Sequence, residues 1–237
     1  MEPMTPFEVV LSGPGKNAMS SSLMRSLREQ LREASSRPIL LTGAGDAFSA
    51  GLDLKEVARL DAEGMAVFLE LLSDVVADLY HYAGPTVACV NGHAIAGGCV
   101  LALCCDYRVV ADNPRARLGL NEVAIGARFP PRVLNVVEHR LPTRHLERVL
   151  LGGALHDPPT ALELGLVDEV AADPLPRARE GLAVLAAHAP DGYAALKARL
   201  RPSTAPTAEQ LATWQAEDLP AWTAAGFKST LDKMLRK

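Results

Sequence analysis

The stretch Asn91 to Asp106, NGHAIAGGCVLALCCD, decides how this chain is read. Ahead of it, Pro85 to Val90 (PTVACV) is a short β-branched run bounded by Gly84-Pro85 and Asn91-Gly92, the form of a buried strand. Behind its glycines, Cys99 to Cys105 has helical length and no breaker. Strand, tight glycine turn and helix in that order leave the first N–H groups of the helix without intrahelical partners, and the helix dipole adds positive potential there. Such a corner can receive an anion or a developing oxyanion. Gly97 and Gly98 would let a carbonyl oxygen approach the main chain with no Cβ in the way. The same glycines would also serve to pack a helix closely on a sheet, and the stretch alone does not choose between the two.

Outward from it, the chain alternates strand and helix. Phe7 to Leu11 reads as a strand, and Ser20 as the N-cap of a helix with Leu23, Leu27, Leu31 and Ala34 at helical spacing. Pro38 to Thr42 is a second buried strand. The loop after it, Gly43 to Gly51 (GAGDAFSAG), is small enough for close backbone contact with a ligand. It lacks the full G-x-G-x-x-G and its downstream acid, so it is a weak nucleotide signal. Ala62 to His81 is a long amphipathic helix, and Tyr107 to Ala111 another strand. The alternation predicts an α/β core with mostly parallel pairing. After the glycine- and proline-rich Gly126 to Pro131 the chain turns helical: Arg144–Leu151, Thr160–Leu164, Arg177–His188, Tyr193–Leu200, Ala208–Leu219 and Phe227–Leu235. Pro202 to Pro206 reads as a hinge. It divides a core at 1–200 from a helical region at 201–237 that would lie across a neighbouring region or a partner subunit, with Trp214, Trp222 and Phe227 as interface anchors or ordinary core.

A chain of 237 residues, 49% hydrophobic, can bury a substantial core, and its net charge of −4 is mild and scattered, which favours neither nucleic acid nor an anionic membrane as partner. Asn91, Gly92, His93, Gly97 and Gly98 interrupt the longest apolar region, so no membrane span is expected. MEPMTPFEVV has no cationic segment followed by an apolar one, and no leader is expected. Cys89, Cys99, Cys104 and Cys105 form no C-x-x-C pair and read as small core hydrophobes of a reduced, cytoplasmic protein. Neither H-E-x-x-H nor another cluster with metal-ligand spacing occurs, so no metal is expected.

Taken together, DAFSAGLDLKE (Asp46 to Glu56) and NGHAIAGGCVLALCCDYRVVADN (Asn91 to Asn113) resemble the crotonase, or enoyl-CoA hydratase/isomerase, superfamily. The resemblance runs from GPGKNAM (Gly13 to Met19) to LELGLVDEV (Leu162 to Val170). It implies a crotonase-like α/β fold of repeated ββα units with a helical C-terminal trimerisation region, and a homotrimer or dimer of trimers. It implies an acyl-CoA thioester as substrate, CoA being part of that substrate and no separate cofactor being needed. By motif position, the main-chain N–H groups of Leu52 and Gly97 would form an oxyanion hole for the thioester carbonyl. Ser49, Ala50 and Leu52 would line the CoA path, with Lys55 near the CoA moiety.

Hydratases of this superfamily carry one glutamate two positions beyond the last glycine of the turn and a second in a later P-E or N-E segment. The first position here is Val100; the second is retained as Glu122, within GLNEVAIG (Gly119 to Gly126). Adding water across a conjugated double bond is commonly shared by two carboxylates, whereas one suffices to move a proton from C2 to C4. Cys105 to Glu122 is more similar to the mitochondrial-type Δ3,Δ2-enoyl-CoA isomerases, and the expectation is that activity, with Glu122 as proton shuttle and Ile95, Phe129 and Pro130 bounding the acyl chain. A hydratase or another reaction of the superfamily, a non-catalytic acyl-CoA-binding protein and, more distantly, a nucleotide-binding protein remain the alternatives.

Overall fold

The computed structural model describes residues 5–236. Five strands, β1 (Phe7–Leu11), β2 (Ile39–Gly43), β4 (Thr86–Val90), β6 (Tyr107–Ala111) and β8 (Glu169–Ala171), form one sheet in the order β1-β2-β4-β6-β8. Every pairing in it is parallel. Three shorter strands, β3 (Ala47–Ser49), β5 (His93–Ile95) and β7 (Leu118–Gly119), form a second parallel sheet. Each of β2, β4 and β6 is followed almost at once by its counterpart in the small sheet and then by a helix, so the ββα unit repeats three times along the chain.

The helices of the first half are α1 (Pro14–Asn17), α2 (Ser21–Ala34), α3 (Leu54–Val57), α4 (Ala62–Tyr80), α5 (Gly97–Cys104) and α6 (Glu122–Ile125). Those of the second half are α7 (Pro131–Arg140), α8 (Thr143–Gly152), α9 (Pro158–Leu164), α10 (Pro174–Ala186), α11 (Pro190–Leu200), α12 (Ala208–Thr213), α13 (Leu219–Ala221) and α14 (Ala225–Leu235), with a π-helical turn at Trp214–Asp218 between α12 and α13. Ser20 caps α2 as the sequence predicts, its hydroxyl accepting from the Leu23 N–H. β4 is buried along its whole length, which is why its five residues are apolar or β-branched without alternation.

One boundary differs from expectation, and two readings left open gain detail. The stretch after β4 is more than a turn: His93–Ile95 is a strand, and α5 starts at Gly97, not at Cys99. Pro202 to Pro206 is irregular but anchored, since the Thr204 carbonyl accepts from Asn135 Nδ2 at 3.2 Å and its hydroxyl meets His81 Nε2 at 3.3 Å. The residues beyond it fold back on their own chain: Trp222 and Phe227 are buried with Leu231 in the main core, their rings 5.2 Å apart and edge to face. All four cysteines are free and buried. No helix among the described residues is long and apolar enough to cross a membrane.

At the starts of β4 and β6, an ion cluster ties α11 to the core. Asp106 accepts from Lys197 Nζ at 2.7 Å, Arg201 at 2.5 Å and the Thr86 N–H at 2.8 Å, and Lys197 also donates to the Gly84 carbonyl at 2.8 Å. Lys197 and Arg201 share the one carboxylate, and their further donors reach the Gly84, Tyr80 and Cys104 carbonyls, so their burial is tolerable.

Candidate active site

The small sheet positions the site. Met19 pairs with Leu52 in an isolated parallel bridge, its N–H donating to the Gly51 carbonyl at 2.7 Å and its carbonyl accepting from the Asp53 N–H at 3.2 Å. In a parallel pairing the residue between these two bonds directs its own N–H to the other side. The Leu52 N–H therefore points away from Met19, and among the described residues it has no backbone acceptor. Gly97 opens α5, where the first N–H groups lack intrahelical acceptors. The two segments touch: a Cβ on Gly51, whose φ is +86°, would lie 2.8 Å from the Ile95 carbonyl oxygen and 3.5 Å from Gly97 N.

The two readings of the paired glycines divide between them. A Cβ on Gly98 would fall 2.5 Å from the Ser49 carbonyl oxygen, so Gly98 lets α5 lie directly on β3. Gly97 instead lines a cavity of about 310 Å³, together with Ala50, Leu52, Ile95 and Ala96. Further walls come from distant parts of the chain: Leu54, Leu72, Phe129, Pro130, Trp222 and Met234.

Glu122 is the first residue of α6 and lines the same cavity. It is 8% exposed, and its Oε2 has no hydrogen-bond partner among the described residues. Burial pushes its carboxyl up to about 7, because removing the charged form from water is penalised with no cation beside it to compensate. A carboxyl at that value exchanges a proton readily near neutrality. Val100, fully buried, contributes only hydrocarbon to the lining, and Glu122 alone among the lining residues carries a carboxyl group. Arg128 also lines the cavity, but its side chain is 58% exposed and lies 3.8 Å from Asp218.

Of the residues expected along the CoA path, Ala50 and Leu52 line the cavity and two do not. Ser49 is wholly buried, its hydroxyl donating to the Asn17 carbonyl at 2.8 Å and accepting from the Gly51 N–H at 3.3 Å, so its side chain fixes the loop and does not line the cavity. Lys55 is exposed on α3, outside the cavity. Asn121, whose buried Oδ1 has no partner among the described residues, and the C-terminal walls Trp222 and Met234 are not legible as site residues in the sequence, because no local pattern ties them to the glycine turn.

The sequence matches the family model described as enoyl-CoA hydratase/isomerase over residues 7–224. It is 37% identical over 165 residues to enoyl-CoA delta isomerase 1, mitochondrial, of Mus musculus, covering 68% of this chain and 57% of that protein. The chain thus spans a little over half the length of the curated mammalian relative it matches. The crystal structure of human mitochondrial delta3-delta2-enoyl-CoA isomerase superposes with a TM-score of 0.84 at 30% identity, covering 97% of this chain and 93% of that one. An enoyl-CoA hydratase from Bacillus halodurans superposes with a TM-score of 0.81 over 96% of each chain, and at 22% identity it attests the fold alone.

Proposed function

The chain belongs to the enoyl-CoA hydratase/isomerase family and has the crotonase fold, and from that premise we propose that it moves the double bond of a 3-enoyl-CoA into conjugation at C2. The observation that carries this reading is the single carboxyl group of the cavity, Glu122, facing an apolar lining in which Val100 stands where a second acid would be needed for hydration.

In this mechanism the thioester oxygen accepts hydrogen bonds from the Leu52 and Gly97 N–H groups. The Glu122 carboxylate removes a proton from C2, and the electron pair spreads through the C3–C4 double bond and the thioester as a dienolate. The two N–H groups bind the developing oxygen charge more strongly than the ground-state carbonyl, so they lower the barrier and not merely the energy of binding. Glu122, now protonated, returns the proton at C4, the double bond settles between C2 and C3, and the carboxylate is regenerated. Water has no part in the sequence, in keeping with an apolar cavity.

The acyl chain is placed against Ile95, Phe129 and Pro130, with the CoA moiety leaving past Ala50 and Leu52 toward Lys55. Assembly as a homotrimer or dimer of trimers belongs to the same proposal. The cytoplasmic location read from reduced cysteines has no support in the name of the mouse relative, which is mitochondrial.

The test supplies cis- and trans-3-enoyl-CoA thioesters and follows the rise of conjugated 2-enoyl absorbance, with 2-enoyl-CoA hydration measured in parallel. Isomerisation well in excess of hydration is expected. Comparable rates would overturn the isomerase assignment in favour of a hydratase, and tight acyl-CoA binding without turnover would leave a binding protein.

A further inference from the structure

Ala96, between β5 and α5, is held in a conformation that alanine avoids: φ is +50° and ψ −122°. Among the described residues the other non-glycine positions with positive φ are Asn17, Ser35 and Ser36. Asn and Ser have polar side chains that can hydrogen-bond and so offset such a backbone, and the Asn17 amide donates to the Ala44 and Ala47 carbonyls at 2.8 Å each. Alanine has no such compensation, so the surrounding structure must impose the geometry. It does so from three sides. The Ala96 N–H donates to the Gly119 carbonyl at 2.8 Å, and the Ala96 carbonyl accepts from the Val100 N–H at 3.0 Å. The methyl group sits against Gly51, where an added Cβ would come within 3.1 Å of it.

The position matters because the Gly97 N–H lies in the peptide plane joining residues 96 and 97, and ψ of Ala96 sets the tilt of that plane. The Leu52 N–H lies in the plane joining residues 51 and 52. The Ala96 methyl on Gly51 is therefore one of the contacts between the segments that carry the two N–H groups, and the one made by a side chain of residue 96. We propose that Ala96 is a positioning residue: its strained backbone aims the Gly97 N–H, and its methyl, braced on Gly51, fixes that direction relative to the Leu52 N–H. The proposal rests on the reading of these two groups as oxyanion donors. Glycine at this position would release the strain and free the Gly97 peptide plane to rotate, so strain is retained where it orients a donor.

The experiment compares Ala96→Gly and Ala96→Ser with the unaltered chain. Ala96→Gly is expected to lower kcat by roughly 10- to 100-fold, the scale of a misaimed oxyanion donor, with KM within about twofold. Its Tm is expected to stay level or rise by a few degrees, since strain is relieved. Ala96→Ser keeps the Cβ and is expected to retain most of kcat. A readout independent of turnover is the fraction of bound acetoacetyl-CoA present as its ultraviolet-absorbing enolate. That fraction is expected to fall in Ala96→Gly while affinity for saturated octanoyl-CoA is unchanged. Undiminished kcat and enolate fraction in Ala96→Gly would overturn the proposal, as would equal losses in both variants. A lower Tm with kcat and KM worsening together would assign Ala96 a merely structural role. Should the unaltered chain fail to isomerise 3-enoyl-CoA, the proposed function falls, and the enolate measurement still decides the role of Ala96.

Discussion

Replacing Glu122 with Gln tests both the chemistry and the physical cause of its readiness to take a proton. The side chain keeps its size and loses its charge. In the folded chain burial moves this carboxyl from 4.5 up to about 7. That difference, at about 1.4 kcal/mol per pH unit, amounts to roughly 3 kcal/mol of penalty on the ionised form. The sign follows from linkage: a carboxyl whose folded value is raised binds more protons folded than unfolded between the two values. Stability is thus free of the penalty below about pH 4.5, declines as pH rises, and has lost the full amount above about pH 7. Glu122→Gln carries no ionisation there. The stability of the original chain minus that of the variant should fall by roughly 3 kcal/mol between about pH 4 and pH 8, measured by urea unfolding at each pH. In the activity assay, kcat/KM of the original chain should rise about tenfold per pH unit below about 7 and level off above it, because the base must be ionised. Glu122→Gln should lose about 10²- to 10⁴-fold in kcat. A stability difference independent of pH, or a variant within tenfold of full activity, would refute the buried proton shuttle.

Other perturbations address the frame around the site. Asp106→Ala strands Lys197 and Arg201 without their shared carboxylate and should destabilise the chain by about 3–5 kcal/mol, read by urea unfolding, with kcat of the folded fraction little changed. Trp222→Ala removes a cavity wall that is 4% exposed and a hydrogen bond of 3.1 Å to the Arg128 carbonyl. It should cost about 3–5 kcal/mol of stability and raise KM for acyl-CoA more than it lowers kcat. Gly98→Ala would press a methyl within 2.5 Å of the Ser49 carbonyl oxygen and lift α5 off β3, so both Tm and kcat should drop. An unaltered Tm in that variant would disprove the close packing.

Particular elements show where sequence reasoning reached and where it stopped. β2 and β4 lie within one residue of expectation, because a strand buried on both faces writes itself as an uninterrupted apolar run. β3, β5 and β7 went unseen, since two or three residues carry no periodicity and each strand exists only through its parallel neighbours. Among the later helices, α7 has no counterpart in the sequence reading, and α9, α10 and α11 start two or three residues earlier than expected, all for a shared reason. α7, α9, α10 and α11 each begin with proline at the first helical position, where its missing N–H costs nothing, yet proline in a sequence reads first as a breaker.

The glycine corner at Asn91 to Asp106, the glutamate at 122 and the apolar residue at 100 are readable from the chain before it folds, because motif spacing and residue type are properties of the linear polymer. Folding settles which glycine packs and which opens on the cavity, that Ser49 turns inward while Ala50 and Leu52 line the cavity and that Trp222 and Met234 close it, and it makes Glu122 the single carboxyl there. It also decides the acidity of Glu122. Burial is conferred by neighbours far away in the chain, and the free energy of a charge depends on what surrounds it, not on what precedes it.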